Sequence, residues 1–269
     1  MQAYLINLAR RPDRLRAMTE QLDTLKIPFQ IVDAIDARNM PDDVADRNFA
    51  ADGPLGPLPK GDKCCTLSHM RAWSMFLSSG DSHGLILEDD VALDAAAADL
   101  LRDSAWLPDG VGLLKIEHFG PDNQRVLLED LVEAGNGRQI GRLLSRHTGA
   151  AAYILTREVA GLLLSWPQLW SLPVDHMLFN PNNSPLAGAL RPYQLTPAVA
   201  RQSTAIGGKT DIEEWRTEMR CMSGRYLKRE LVRAYYEVRL LPRQVGKFLR
   251  RDCDLVRVEA AARGFAPQR

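Results

Sequence analysis

The chain has 269 residues, with 34 Lys+Arg against 34 Asp+Glu, 45% apolar and 25% charged residues. That length buries a full core as one large α/β domain or one domain with an appendage, and the composition excludes disulfide miniproteins, collagen-like repeats and wholesale disorder. The zero net charge hides an asymmetry, because residues 225–251 hold nine Lys/Arg against Glu230 and Glu237, a balance of +7 that leaves −7 for the rest.

In chain order, Tyr4-Leu5-Ile6-Asn7-Leu8 reads as a buried strand, and Pro12 opens a helix carrying Leu15, Met18, Leu22 and Leu25 at helical spacing. The apolar run is too short before Arg10 and Arg11 for a signal peptide, so secretion is not expected. A second strand covers residues 29–35. This βαβ opening favours a sheet with helices on both faces and ligands at the carboxyl ends of its strands, where Asn7 and Asp36 fall. Residues 39–62 lose all apolar periodicity and gather Pro41, Pro54, Pro57 and Pro59, the pattern of an uncovered loop that is functional or mobile.

A helix is expected to resume near Cys65, with Leu67, Met70, Trp73 and Leu77 on one side. The short strand Gly84-Leu85-Ile86-Leu87 runs into Glu88-Asp89-Asp90. An alanine-rich helix over residues 94–106 and a strand over 111–116 ending in Glu117-His118 make a third unit. Weak strand signals cover 125–128 and 139–144, a clearer one 150–155, and a helix 157–164. After irregular text around Asn180-Pro181-Asn182-Asn183 a strand is expected at 193–200, then helices through 211–263. No stretch approaches the roughly 18 apolar residues of a spanning helix. Cys64, Cys65, Cys221 and Cys253 show no CxxC spacing, which points to reduced thiols in a cytoplasm and not to zinc.

Glu88-Asp89-Asp90 is the sharpest local feature. Three adjacent carboxylates repel, so a strand end tolerates them when solvent or a cation neutralises them, and all-oxygen ligands suit Mn²⁺ or Mg²⁺ with substrate phosphates. The plainer reading is a solvated acidic turn.

Four separated segments, Leu5-Ile6-Asn7-Leu8 with Arg11-Pro12-Asp13-Arg14, Ala34-Ile35-Asp36, Leu67-Ser68-His69 and Leu87-Glu88-Asp89-Asp90-Val91, resemble the ordered signatures of the family 25 glycosyltransferases. Leu114-Lys115-Ile116-Glu117 and Gly149-Ala150-Ala151-Ala152-Tyr153, leading to Pro173-Val174-Asp175, continue the resemblance to about residue 205. It implies a GT-A type nucleotide-sugar-binding fold and transfer of a sugar, often galactose, from a UDP-sugar donor to lipooligosaccharide. Relatives of this type also modify collagen hydroxylysine, a role the missing secretory signal argues against. Where the family writes Gly-Glu-Ile-Gly-Cys, this chain has Gly61-Asp62-Lys63-Cys64-Cys65, which opens the possibility of altered loop geometry and donor or acceptor choice.

With that resemblance, Glu88 and Asp90 are the expected ligands of Mn²⁺ or Mg²⁺, with His176 as a late-histidine third, and Asp89 faces the donor sugar or ribose instead. Arg11 and Arg14 are expected to contact diphosphate or uridine, or to form an exposed basic first turn. Asn7 and Asp36 fall where the nucleoside sits, and Ser68 and His69 line the sugar pocket or fill the core. A serine hydrolase is excluded by the lack of a Gly-x-Ser-x-Gly elbow. Asp175 is the candidate general base of an inverting displacement, with Glu117 in reserve and a helix cap as its alternative.

The expected organisation is an α/β GT-A type domain over 1–205 and a basic amphipathic helical extension over 206–269. In that tail Leu227, Leu231, Ala234, Val238, Leu241, Val245 and Phe248 recur three and four apart. The stripe either packs on the catalytic domain or seats a peripheral protein on an anionic inner leaflet, where a glycolipid acceptor would lie. No nucleic-acid-reading motif is present. Two other readings keep the same residues: a nucleotide-sugar or glycan binder without turnover, and a metal-dependent phosphohydrolase, whose second-metal ligands the sequence lacks. Oligomeric state has no signature.

Overall fold

The computed structural model describes residues 1–95, 97–203 and 223–259. The opening is the expected βαβ unit: β1 (Gln2–Asn7), α1 (Pro12–Thr24) and β2 (Phe29–Asp33), with β1 parallel to β2. Next come α2 (Asp42–Asp46), α3 (Lys60–Ser78), β3 (His83–Glu88), β4 (Val91–Leu93), α4 (Ala97–Leu101), β5 (Leu113–Lys115) and β6 (Glu117–His118). The hairpin β7 (Arg125–Gly135) and β8 (Arg138–Leu143) leads to β9 (Ala152–Thr156), α5 (Arg157–Leu164), α6 (Val174–Phe179) and α7 (Pro185–Leu190). The chain closes with β10 (Tyr193–Thr196), β11 (Ala200–Gln202), the long helix α8 (Ser223–Leu249) and β12 (Asp254–Arg257).

Nine strands form one sheet in the order β12-β7-β8-β10-β5-β9-β3-β1-β2, and β4-β11-β6 form a small second sheet. β3, β1 and β2 are mutually parallel, and β9 is antiparallel to both β3 and β5. The carboxyl ends of β1, β2, β3 and β5 and the start of β9 therefore meet along one edge, which positions the site.

Period-2 alternation sorts the strand side chains. Tyr4, Ile6, Ile86, Tyr153 and Leu155 face a core with Trp73 and Phe76 of α3, while Ala3, Leu5, Leu85, Leu87 and Ile154 face Met18 and Leu22 of α1. Both faces are covered, which is why these strands read as continuous apolar runs.

Five expectations change. The 39–62 segment is not an uncovered loop. It contains α2, buries Phe49, Leu55 and Leu58, and is clipped to the first turn of α3 by Lys60–Asp42 at 2.8 Å and Lys63–Asp46 at 2.5 Å. Helix α3 accordingly starts at Lys60, not near Cys65, because Pro59 is its N-cap. The helix read over 94–106 is confined to Ala97–Leu101 among the described residues. The two weak strand signals are one long hairpin, and the helical reading of the tail gives way at β12, which pairs antiparallel with β7 and is followed by fully buried Val258.

That hairpin turns at Asn136-Gly137, both with positive φ (53° and 70°), between the paired residues Gly135 and Arg138, a type I′ turn. No neighbour lies within 4 Å of a Cβ added at Gly137, so substitution there costs backbone strain alone. Gly137→Ala is expected to lower unfolding free energy by about 1 kcal/mol in urea titrations, leaving the distant cleft untouched.

Candidate active site

At the carboxyl edge of the sheet a cleft is lined by β1 and β2 termini (Leu8, Arg10, Asp36), by α3 (Asp62, Cys65, Ser68, His69), by Glu88, Asp89 and Asp90 after β3, and by Gly149, Asp175 and Gln202 opposite. Arg14 and Phe119 complete it.

The three carboxylates are treated differently. Asp89 is buried and takes hydrogen bonds from Asn7 Nδ2 (2.8 Å), the Leu8 N–H (3.3 Å) and Arg14 Nη1 (3.0 Å). Burial raises its pKa even against the Arg14 guanidinium. Asn7 and Arg14 are thereby committed to holding Asp89, although Arg14 also lies 3.5 Å from Asp90. Asp90 is equally buried, but its Oδ1 has no hydrogen-bond partner. Burial, then the adjacent Glu88 charge, push its pKa up to about 7. A carboxylate desolvated and left without a donor on one oxygen fits a cation, which would supply the missing charge.

Glu88 is the most accessible of the three and is oriented by a relay. Trp73 Nε1–H donates to the Tyr153 hydroxyl oxygen at 2.7 Å, which leaves the Tyr153 proton for His69 Nδ1 at 2.8 Å. His69 Nε2 then carries the proton that is donated to Glu88 Oε1 at 3.1 Å. Gln202 Nε2 donates to the other oxygen at 3.3 Å. Cys65 Sγ, His69 Nε2 and a Glu88 oxygen lie within 4.8 Å of one another. A thiol and an imidazole suit a softer ion than the oxygen pair Glu88 and Asp90 does, and here they are already joined to Glu88 by hydrogen bonds. Cys64, Cys65 and Cys253 are free thiols.

The opposite wall is built on a buried ion pair. Lys115 and Glu117 are both fully buried and hydrogen-bonded to each other, and Lys115 Nζ also donates to Gly149 O at 2.5 Å. The Ala151 N–H donates to Glu117 Oε1 at 3.1 Å. Burial lowers the Lys115 pKa and raises that of Glu117 to about 7. Gly149 sits at φ +93°, and a Cβ there would come within 2.7 Å of Glu117 Oε1 and the Phe119 ring, so glycine is required twice over. The Gly149 N–H in turn donates to Asp175 Oδ2 at 3.3 Å, and the His176 N–H to Asp175 Oδ1 at 2.8 Å.

The structure thus brings Glu88, Asp89, Asp90, Asp36, Ser68, His69, Arg14 and Asp175 to one cleft. Asn7 lies just behind it through Asp89. Ser68 uses its hydroxyl to donate to Cys64 O (2.7 Å) and to accept from the Ile35 N–H (2.8 Å), tying α3 to the Asp36 segment. Arg11 turns to Asp13 at 2.8 Å, holding that carboxyl down at about 2, and does not line the cleft. Its neighbour Arg10 does, paired with Asp36 at 2.8 Å. His176 is not among the cleft-lining residues, and its Nδ1 meets Asn180 and Asn183 at 3.0 and 3.3 Å. Glu117 is sealed beneath Gly149. In the divergent segment, Gly61, Asp62, Cys64 and Cys65 line the cleft while Lys63 points away to Asp46.

Sequence reasoning missed Arg10, Lys115, Tyr153, Trp73 and Gln202 as parts of the site. Arg10 had a usable signal, the same strand-end position that singled out Arg11. Lys115 had another, a lysine in an otherwise apolar strand two residues from a glutamate. Gln202 reaches the cleft through the small sheet and has no local signature.

Residues 1–178 match Glycosyltransferase family 25 (LPS biosynthesis protein). The chain belongs to that family. It is 30% identical over 222 residues to the Lacto-N-neotetraose biosynthesis glycosyltransferase LgtB of Neisseria gonorrhoeae, covering 75% of this chain and 74% of that one. Identity to the Lipooligosaccharide biosynthesis protein lic2B of Haemophilus influenzae is 26% over 208 residues, 74% of this chain and 75% of that one. The Probable inactive glycosyltransferase 25 family member 3 of Bos taurus is 30% identical over 194 residues, 66% of this family 25 chain but 31% of that protein. The architecture is the expected mixed α/β one, with a large central sheet, a cleft at the carboxyl edge and a long C-terminal helix.

The buried pair beneath Gly149 makes a definite prediction. Lys115→Met leaves Glu117 without its counter-charge and is expected to cost about 3–5 kcal/mol. Because the raised Glu117 pKa means its charged form is the disfavoured one, the deficit should shrink as pH falls and grow as pH rises past about 7. Adding Glu117→Gln, which still accepts from Ala151 N–H, should recover a large part at neutral pH. Denaturant melts of the single and double variants across pH check this.

Proposed function

We propose that this family 25 protein is an inverting glycosyltransferase that moves a sugar, galactose being the expected one, from a UDP-sugar to a lipooligosaccharide-type glycan with Mn²⁺ or Mg²⁺ assistance. The observation that carries the reading is Asp90: a buried carboxylate with an unpartnered oxygen, next to Glu88, at the carboxyl ends of parallel strands. The names of the relatives LgtB and lic2B, a lacto-N-neotetraose and a lipooligosaccharide biosynthesis protein, support the acceptor class.

Glu88 and Asp90 would hold the ion, which when bound supplies positive charge to the departing diphosphate. Arg10 and Asp36, joined to each other at the end of β2, offer one cation and one acceptor to the nucleoside side of the donor. Asp175 faces the cleft with each carboxylate oxygen fixed by a backbone N–H, which aims it at an acceptor hydroxyl. In the reaction the acceptor oxygen forms its bond to the anomeric carbon as the bond to the diphosphate oxygen breaks. The hydroxyl proton passes to Asp175 and UDP leaves with the bonding electrons, inverting the anomeric centre.

A second reading, a nucleotide-sugar binder without turnover, is favoured by the Bos taurus relative, named a Probable inactive glycosyltransferase 25 family member 3. UDP release from a panel of nucleotide sugars, with and without Mn²⁺, separates the two. The enzyme reading predicts release with one preferred donor. It predicts that Asp175→Asn lowers turnover about 10²–10⁴-fold while UDP affinity stays within a few-fold, since a base acts on the acceptor proton. Binding of UDP with no release from any donor would establish the binder, and an Asp175→Asn defect confined to donor affinity would remove Asp175 from the base role.

A further inference from the structure

Helix α8 is docked by one side only. Gln244 donates to Leu144 O at 2.8 Å and to Asn182 Oδ1 at 3.1 Å, Lys247 pairs with Glu129 at 2.6 Å, and Glu237 pairs with Arg146 at 2.9 Å. These contacts are polar. The apolar side is turned outward: Leu231 is 64% exposed, Val238 63% and Leu249 76%, with Tyr235, Leu241, Val245 and Phe248 also exposed. At about 100° per residue these seven fall within one face of about 140°. An amphipathic helix normally buries that face, so its exposure calls for an occupant.

Charge decides which occupant. Arg239, Arg243 and Arg250 follow one flank of the stripe and are exposed. A groove at the base of α8 is lined by Arg142 and Lys247, both paired with Glu129, and by Arg191 and Arg243. Two copies meeting through this face would bring the +7 of residues 225–251 against itself. An anionic bilayer offers acyl chains to the stripe and phosphates to the flanking guanidiniums, whose long stems allow them to reach the headgroups.

We propose that the outward face of α8 is a membrane-docking surface that seats the protein on an anionic lipid bilayer. The inference stands apart from the donor chemistry, because attachment is read without turnover. No described helix is long and apolar enough to cross a membrane, so the attachment is peripheral at this helix.

The test is sedimentation of the full chain with vesicles of equal parts phosphatidylglycerol and phosphatidylcholine, against phosphatidylcholine alone. Pelleting is expected with the anionic vesicles, falling as salt rises, and little with the neutral ones. Val238→Ser with Leu241→Ser and Phe248→Ser, all at exposed positions, should keep the fold by circular dichroism and lower partition at least tenfold. Arg239→Gln with Arg243→Gln should lower it about fivefold for each arginine removed. Three outcomes overturn the proposal. They are equal low pelleting with both vesicle types, unchanged anionic pelleting in the triple serine variant, and a dimer by light scattering that the triple variant converts to monomer.

Discussion

Everything at the carboxyl edge of the sheet follows from placing three consecutive carboxylates, two of them buried, at the end of one strand. Glu88, Asp89 and Asp90 cannot all be charged and dry, since adjacent like charges in a medium of low polarity raise one another's pKa. The fold answers each one separately. Arg14 and Asn7 are spent on Asp89, which locks α1 and β1 to the turn after β3. His69, held in one tautomer by Tyr153 and Trp73, and Gln202 are spent on Glu88. Asp90 receives no donor on Oδ1 and is left at about 7. That incompletely satisfied carboxylate is the feature on which the proposed cation site rests.

The opposite wall repeats the device with the signs balanced. Lys115 and Glu117 cancel within the protein, and their shared hydrogen bonds to Gly149 O and Ala151 N–H fix a loop in a left-handed conformation that only glycine tolerates. That loop holds the Asp175 carboxylate through the Gly149 N–H. Glu117 therefore acts on the cleft through backbone placement, two links away from any substrate. Buried pairs of this kind add little net stability against an apolar alternative, so the geometry they impose is the better reason for their presence.

The sequence made the βαβ start, the acidic strand end and the order of the family 25 segments readable, because each is a local pattern of period and charge. It did not separate Arg10 from Arg11. Both follow β1, and only the helical turn begun at Pro12 aims one at Asp36 and the other at Asp13. The relay from Trp73 to Glu88 joins residues about eighty positions apart, a register set by β3–β9 pairing that no local pattern encodes. The hairpin had its signal in Asn136-Gly137, the turn that pairs the two weak strands β7 and β8. The 39–62 segment looked uncovered because its buried Phe49, Leu55 and Leu58 have no period; they pack as single anchors. β12 was lost inside a basic helical pattern, since four residues at a sheet edge are too few to alternate visibly.

The central claim is that buried, incompletely satisfied Asp90 and its neighbour Glu88 form a cation site completed by a nucleotide diphosphate. Electron paramagnetic resonance of Mn²⁺ titrated into the protein, with and without UDP, tests it without reference to turnover. The expected result is bound Mn²⁺ whose affinity rises when UDP is added, in the intact chain. Free aqueous Mn²⁺ at every protein concentration, with UDP changing nothing, would contradict it and leave Asp90 as a neutral acid serving only the fold.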